Sequence, residues 1–330
     1  MTTPLELVCP AGTPAGLKTA VDAGAHSVYC GYRDETNARN FPGLNFDRAE
    51  MKEAVTYAHD HGTKILIALN TFMRAGSTDL WKRGVDDAVA AGADALILAD
   101  VGLVEYARKA HPKQRLHLSV QAAAATPEAI AFYRDRFGIA RVVLPRVLTV
   151  EEIARLTAHA APCETEVFVF GGLCVMAEGR CMLSSYATGK SPNMTGVCSP
   201  PSHVSYREES DALVACVGGF TVERFERGEP AGYPTLCKGR FEAQGAVSHL
   251  FEDPVSLNAV ELLPRLAEIG VTAFKIEGRQ RGRAYISTVV RAFRKAIDAM
   301  AAGDKVDFDE LRALTEGQRE TTGAYKKAWR

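Results

Sequence analysis

Short apolar runs recur along the chain, each followed by a stretch whose apolar residues fall at helical spacing. Strands are predicted at residues 5–8, 27–31, 64–69, 95–100, 116–121 and 140–146. The intervening segments read as helices, near 14–23, 47–61, 80–91, 101–110 and 126–137. The turn between helix and strand has a recurring form, seen in AGAHSVY, HGTKILI, AGADALI, FGIARVV and IGVTAFK. A further helix opens at Thr149, where Glu152 at the third helical position completes a capping-box pattern. A seventh strand, around Glu166, Phe168 and Phe170, is apolar on both faces, as in a buried parallel sheet. An eighth falls within VTAFKIEGR, followed by a helix over 283–301.

Strict alternation of strand and helix predicts a parallel sheet, and eight units close as a TIM-like (β/α)8 barrel. The competing open sheet lacks its glycine-rich phosphate fingerprint after the first strand. More than a hundred residues separate the last two strands, too many for an ordinary connection. The expected organisation is therefore residues 1–170 for the first seven strands and 171–270 for a cysteine-bearing loop with a small β/α insertion. Residues 271–302 supply the last strand and helix, and 303–330 form a tail. Within the insertion, a small β region is expected over 203–224 and a helix over 258–269.

Cysteine placement sharpens the picture. Six residues separate Cys174 from Cys181, Cys198 follows, and Cys237 lies in AGYPTLCKGR. Glycine or proline flanks each one, at Gly172, Gly179, Gly196, Pro200, Pro234 and Gly239, which lets the backbone bend around a bound centre. Four thiolates can hold an iron–sulfur cluster or a zinc ion. Zinc sites of this type usually use C-x2-C pairs, which are lacking here, so the spacing favours iron–sulfur ligation, with zinc as the alternative. Cys9, Cys30, Cys163 and Cys216 read as small buried hydrophobes.

In a barrel the C-terminal strand ends face the active site. Asn70, Gln121, Arg146, Lys275, Glu277 and Arg279 all fall at such ends and are the candidate catalytic residues. Arg279 offers a fork for a carboxylate, with an internal ion pair of Glu277 as the structural alternative. Glu166 is expected to pair with a basic residue on a neighbouring strand. His117 reads as a core histidine, and His59 and His61 as solvent-facing residues at a helix end. The formal net charge of −1 advertises no nucleic-acid surface and argues against DNA as a partner. No secretory leader and no membrane span is apparent, so a cytoplasmic protein is expected.

The segments Gly171-Gly172-Leu173-Cys174, Gly179-Arg180-Cys181-Met182-Leu183-Ser184 and Lys275-Ile276-Glu277-Gly278-Arg279 resemble the signatures of the collagenase-like peptidase family. The resemblance spans nearly the whole chain. NARNFPGLNF, LILAD, ARVVLPRVL, SPNMTGVCSP, GYPTLCKGR and the tail EGQRETTGAY resemble its ubiquinone-biosynthesis branch. That resemblance implies a [4Fe–4S] cluster on Cys174, Cys181, Cys198 and Cys237. It also implies a heterodimer with a paralogue, UbiV, and help from a lipid carrier, UbiT. The implied role is oxygen-independent hydroxylation of ubiquinone precursors, with prephenate as oxygen donor. Alternatives are a related RNA-base hydroxylase, a non-catalytic electron-transfer subunit, or a peptidase. The last lacks a nucleophile elbow and an H-E-x-x-H motif.

Overall fold

The computed structural model describes residues 5–176, 181–192, 197–306 and 320–326. Gly179, Arg180, Gly196 and the first part of the EGQRETTGAY tail, all singled out above, lie outside them.

The barrel is built from β1 (Glu6–Pro10), β2 (Ser27–Gly31), β3 (Lys64–Leu69), β4 (Ala95–Leu98), β5 (Leu116–Leu118), β6 (Arg141–Val143) and β7 (Glu164–Gly172). Each pairs in parallel with the next, and β14 (Ala273–Ile276) joins β7 to β1 to close the ring. Helices α1 (Pro14–Asp22), α2 (Arg48–Asp60), α3 (Asp79–Ala90), α4 (Val101–Ala110), α5 (Pro127–Phe137) and α6 (Val150–Ala160) follow the first six strands. Side chains signal where several of them start. Thr13, Asp47, Asp100, Thr126 and Thr149 each accept a hydrogen bond from a backbone N–H of their helix's first turn. The predicted capping box at Thr149 and Glu152 is present.

Strand alternation divides the apolar residues into two layers. Leu7, Val28, Ile65, Ile67, Leu96, Leu116, Val167 and Phe274 face outward into one large core shared with the helices. The inward-facing apolar set is small: Val8, Tyr29, Leu66, Ala68, Ala95, Ile97 and Ala273. Charged residues occupy much of the remaining interior. Arg141, 4% exposed at its side chain, meets Glu6 at 2.7 Å, Glu164 at 2.6 Å and Glu166 at 3.3 Å. Lys275 meets the other oxygen of the fully buried Glu166 at 2.6 Å. Glu166 thus bridges Arg141 and Lys275, as expected of a residue paired across neighbouring strands.

Past the barrel, the chain between β7 and β14 forms a helix, α7 (Leu183–Thr188), and a three-stranded antiparallel sheet of β8 (Val204–Glu209), β9 (Ala212–Val217) and β10 (Phe220–Glu226). A hairpin follows, β11 (Arg240–Ala243) with β12 (Ala246–His249). The helix expected over 258–269 is shorter. Asn258 ends a strand, β13 (Ser256–Asn258), which runs antiparallel to the last residues of β7, and only Leu263–Glu268 is α-helical (α8). The end of β7 outruns its barrel neighbours, so its open edge draws these residues into the sheet. The last long helix, α9, spans Arg283–Ala302. Beyond it, β15 (Glu320–Thr321) pairs with β13, and the buried Tyr325 donates its hydroxyl to the carbonyl of Phe168.

Candidate functional site

Two glycines let the exit of β14 lie close to its neighbours. A Cβ on Gly12 would sit 1.9 Å from the carbonyl oxygen of Arg279. A Cβ on Gly171, where φ is +106°, would sit 2.1 Å from that of Glu277. The Glu277 N–H in turn donates to the Phe170 carbonyl at 2.8 Å. Lys275, Glu277 and Arg279 are thereby held at the C-terminal mouth of the barrel. They line one cavity with Asn70, Gln121 and Arg146, so the six candidate residues share a single site.

Each has a defined setting. Asn70 accepts from the Ala38 N–H at 3.0 Å and donates to Ser119 at 3.4 Å. Arg146 donates to the Gly172 carbonyl at 2.8 Å and lies over the Phe168 ring. Lys275, besides its bond to Glu166, sits 3.8 Å from the Tyr29 ring centre. Arg279 donates through Nη1 to Asn37 at 2.8 Å, while its buried Nε has no partner among the described residues. Gln121 sits in a single 3-10 turn after β5, and its Oε1 is likewise buried without a partner. An unpaired buried polar atom is costly, so both atoms are suited to a bound molecule.

Glu277 pairs with Arg39 at 3.7 Å rather than with Lys275 or Arg279, the basic residues of its own segment. Burial disfavours its ionised form, but Arg39, Arg146, Arg279 and Lys275 outweigh this and lower its pKa. Burial lowers Lys275 and Arg279 in turn, against the pull of Glu166 and of Tyr29 and Glu277. Arg39, Arg146 and Arg279 therefore gather around Glu277 at this mouth, while Lys275 is paired with Glu166. Such a field favours an anionic molecule.

Arg39, Asn37 and Tyr29 were not among the residues chosen from sequence. Tyr29 points inward from β2 and donates to the Ile276 carbonyl at 2.9 Å. Arg39 and Asn37 come from the long loop after β2. Its length was the available signal, because extended loops after barrel strands commonly carry site residues.

The four thiols come from separate segments around this mouth. Cys174 follows β7 directly. Cys181 precedes α7, and Cys237 lies in the 3-10 turn Leu236–Lys238. A small core of Val217, Val222 and Leu236, packed with Leu183 and Ala187, holds those last two segments together. The segment of Cys198 is tied in by Tyr233, whose hydroxyl donates to the Ser199 carbonyl at 2.8 Å.

The thiols are within electrostatic reach of one another. Burial pushes the Cys237 thiol up to about 12, and Cys174, Cys198 and Cys181 add to the rise. Cys198 keeps an exposed surface, yet enough protein surrounds its sulfur to raise its pKa, and Cys174 and Cys181 raise it further. Arg39, in contact with Glu277, also feels Cys198 and Cys174, so the thiols adjoin the barrel mouth. Among the described residues, no three His, Cys, Asp or Glu side chains converge tightly enough to grip a metal ion. The donors have the chemistry of thiolate ligands, with Arg39 and Arg146 near Cys198 and Lys238 near Cys237 and Cys174 to balance the charge once the thiols are deprotonated. The other four cysteines are buried apart from this group; burial holds Cys30 at about 12 and Cys163 at about 11.

Comparison with known proteins gives matches over nearly all of the chain. The profile of Peptidase family U32 matches residues 12–327. The tRNA hydroxylation protein P of Escherichia coli (strain K12) is 32% identical over 94% of this chain and 71% of its own length. The 23S rRNA 5-hydroxycytidine C2501 synthase of the same organism is 29% identical over 90% of this chain and 40% of its own. The solved structure of the U32 peptidase Mk0906 is 20% identical, with a TM-score of 0.44 over 52% of this chain and 70% of that one. No helix among the described residues is long and apolar enough to cross a membrane.

Proposed function

The chain belongs to peptidase family U32, and from that membership we propose that it is an iron–sulfur subunit of an oxygen-independent ring hydroxylase. The proposed substrate is a ubiquinone precursor, as for UbiU-like proteins, with a UbiV-like paralogue as partner and a UbiT-like carrier to deliver the apolar substrate. The observation that carries the reading is the juxtaposition of four thiols with a cationic barrel mouth.

In this reading Cys174, Cys181, Cys198 and Cys237 hold a [4Fe–4S] cluster. Such a cluster, when bound, supplies one-electron transfer. The chain's own residues do the rest. Arg279 offers its Nε–H to a carboxylate, and Arg39 and Arg146 add positive charge around it. A dicarboxylate such as prephenate suits that set as oxygen donor. Gln121 Oε1 accepts a hydroxyl of the bound molecule. The Tyr29 hydroxyl, its pKa raised well above the usual value by burial, keeps its proton and fixes the wall of the pocket. Exposed apolar residues on the insertion, among them Met182, Tyr186 and Phe220, offer the partner a surface beside the thiols.

A second reading, hydroxylation of an RNA base, is favoured by the names of the similar proteins from Escherichia coli. One experiment separates the two. A deletion strain grown without oxygen is assayed for ubiquinone and for hydroxylated tRNA and rRNA bases, then complemented with wild type, Cys174→Ala or Arg279→Met. The first reading expects anaerobic ubiquinone to be lost and restored by wild type alone. Normal ubiquinone with a missing hydroxylated base would replace it with the second.

A further inference from the structure

The opposite, N-terminal end of the barrel holds a cavity of about 660 Å³, which shares no lining residue with the catalytic mouth. This volume is in the range that small-molecule sites occupy. In barrels of this kind that end normally serves stability rather than chemistry, so a built cavity there calls for an explanation.

His117 supplies the first clue. It is 1% exposed and lines the cavity. Its Nε2 accepts a hydrogen bond from Arg115 Nε at 3.0 Å, and an arginine can only donate. The neutral imidazole therefore carries its proton on Nδ1, which has no partner among the described residues. Burial, then Arg141, Arg115, Lys275 and Lys64, all lower the pKa of His117, so it stays in this neutral donor form. His117 lines the cavity, and an acceptor bound there would satisfy this buried N–H.

Charge narrows the acceptor. The cations on the wall are Lys64, Arg115, Arg141 and Arg294, and the carboxylates are Glu6, Asp94 and Glu164. Glu6 and Glu164 are committed to Arg141 and Arg115, and Asp94 to His59 and the Ile65 N–H. Arg294 is held in turn by Asp298 at 2.8 Å, which leaves Lys64 as the one cation of this wall with no carboxylate partner among the described residues. Leu5, Val21 and Leu66 give the same wall an apolar part. We propose that this cavity binds a small organic monocarboxylate, its carboxylate accepting from His117 Nδ1–H under the charge of Lys64 and its apolar body against the aliphatic wall.

The test is isothermal titration with benzoate, and with neutral benzamide as the isostere, on the full chain. Wild type is expected to bind one benzoate at this end and no benzamide. Lys64→Met changes an exposed side chain and should leave the fold intact; it is expected to weaken that binding at least fivefold. His117→Phe should do the same, with circular dichroism to confirm folding. The upper mouth is also cationic, so the titrations are repeated in Arg279→Met. Binding lost in Arg279→Met but kept in Lys64→Met belongs to the other mouth. If that is the sole component, or if benzamide binds as well as benzoate, the proposal is overturned. None of these outcomes depends on which molecule is hydroxylated.

Discussion

Replacing Lys275 by methionine tests the charged interior of the barrel directly. Lys275 Nζ lies 2.6 Å from Glu166 Oε1, with Lys275 4% and Glu166 0% exposed. Removing one member of a buried pair leaves the other charge uncompensated, at a cost of about 3–5 kcal/mol. Glu166 would keep Arg141 at 3.3 Å, which places the loss near the lower end, at about 3 kcal/mol. Unfolding entropy near the midpoint is roughly 2.1 cal/mol/K per residue, or about 0.7 kcal/mol/K for 330 residues. The expected fall in Tm is therefore roughly 4 °C by scanning calorimetry. The double variant Lys275→Met/Glu166→Gln removes both charges, while Arg141 keeps Glu6 and Glu164. It should recover at least half of the loss. A fall below about 1 °C in the single variant, or a double variant no better than the two losses added, would refute a coupled buried pair.

Three other outcomes are expected. Glu6 is held down to about 2 because the hydrogen bond and charge of Arg141 outweigh burial, which alone would raise it. Its folded carboxyl is harder to protonate than the unfolded one. The stabilisation, about 3 kcal/mol for this shift, is complete above pH ~4.5 and lost as pH falls towards about 2; Glu6→Gln should flatten this acid limb of a stability-versus-pH curve. Gly171→Ala places a Cβ against the Glu277 carbonyl at a positive φ and should cost about 2 kcal/mol or more in thermal unfolding. Gly172→Ala, whose Cβ meets ordinary contact at 3.6 Å, should cost under about 1 kcal/mol. Finally, anaerobically prepared Cys237→Ser should lose iron and sulfide, whereas Cys216→Ser, buried in the insertion's sheet, should retain both. Full iron in Cys237→Ser would remove that thiol from the proposed set.

The barrel was legible in sequence because each unit states its role locally. The outward faces of β1 to β7 and β14 are apolar, the helices carry matching stripes, and capping residues such as Thr149 and Glu152 mark the boundaries. Asn258 shows where that reading fails. The segment around it has helical spacing, but the free edge of β7 recruits it as a strand, a tertiary contact that no local pattern encodes. Arg39 was missed for a related reason: it stands far from Glu277 in sequence, and the loop after β2 brings them within 3.7 Å. Cys237 was legible as a residue type with bend-forming neighbours. Its nearness to Cys174 depends on the insertion's own small core of Val217, Val222 and Leu236.

The interior charges give the two ends of the barrel opposite characters without a break between them. From the N-terminal end, Arg115 meets Glu164, Glu164 and Glu6 meet Arg141, Arg141 meets Glu166, and Glu166 meets Lys275 at the foot of the C-terminal mouth. Alternating signs along this column let every ion lie beside an opposite one, which offsets desolvation that none could bear alone. The column also fixes what is left over at each end. Because Glu166 is committed to Arg141 and Lys275, it is not available to Arg39, Arg146 or Arg279, which lie near Glu277. Because Glu6 and Glu164 are saturated by Arg141 and Arg115, they cannot neutralise Lys64 near His117. The same internal pairing thus leaves Arg39, Arg146 and Arg279 gathered near Glu277 at one mouth and Lys64 without a carboxylate partner among the described residues at the other.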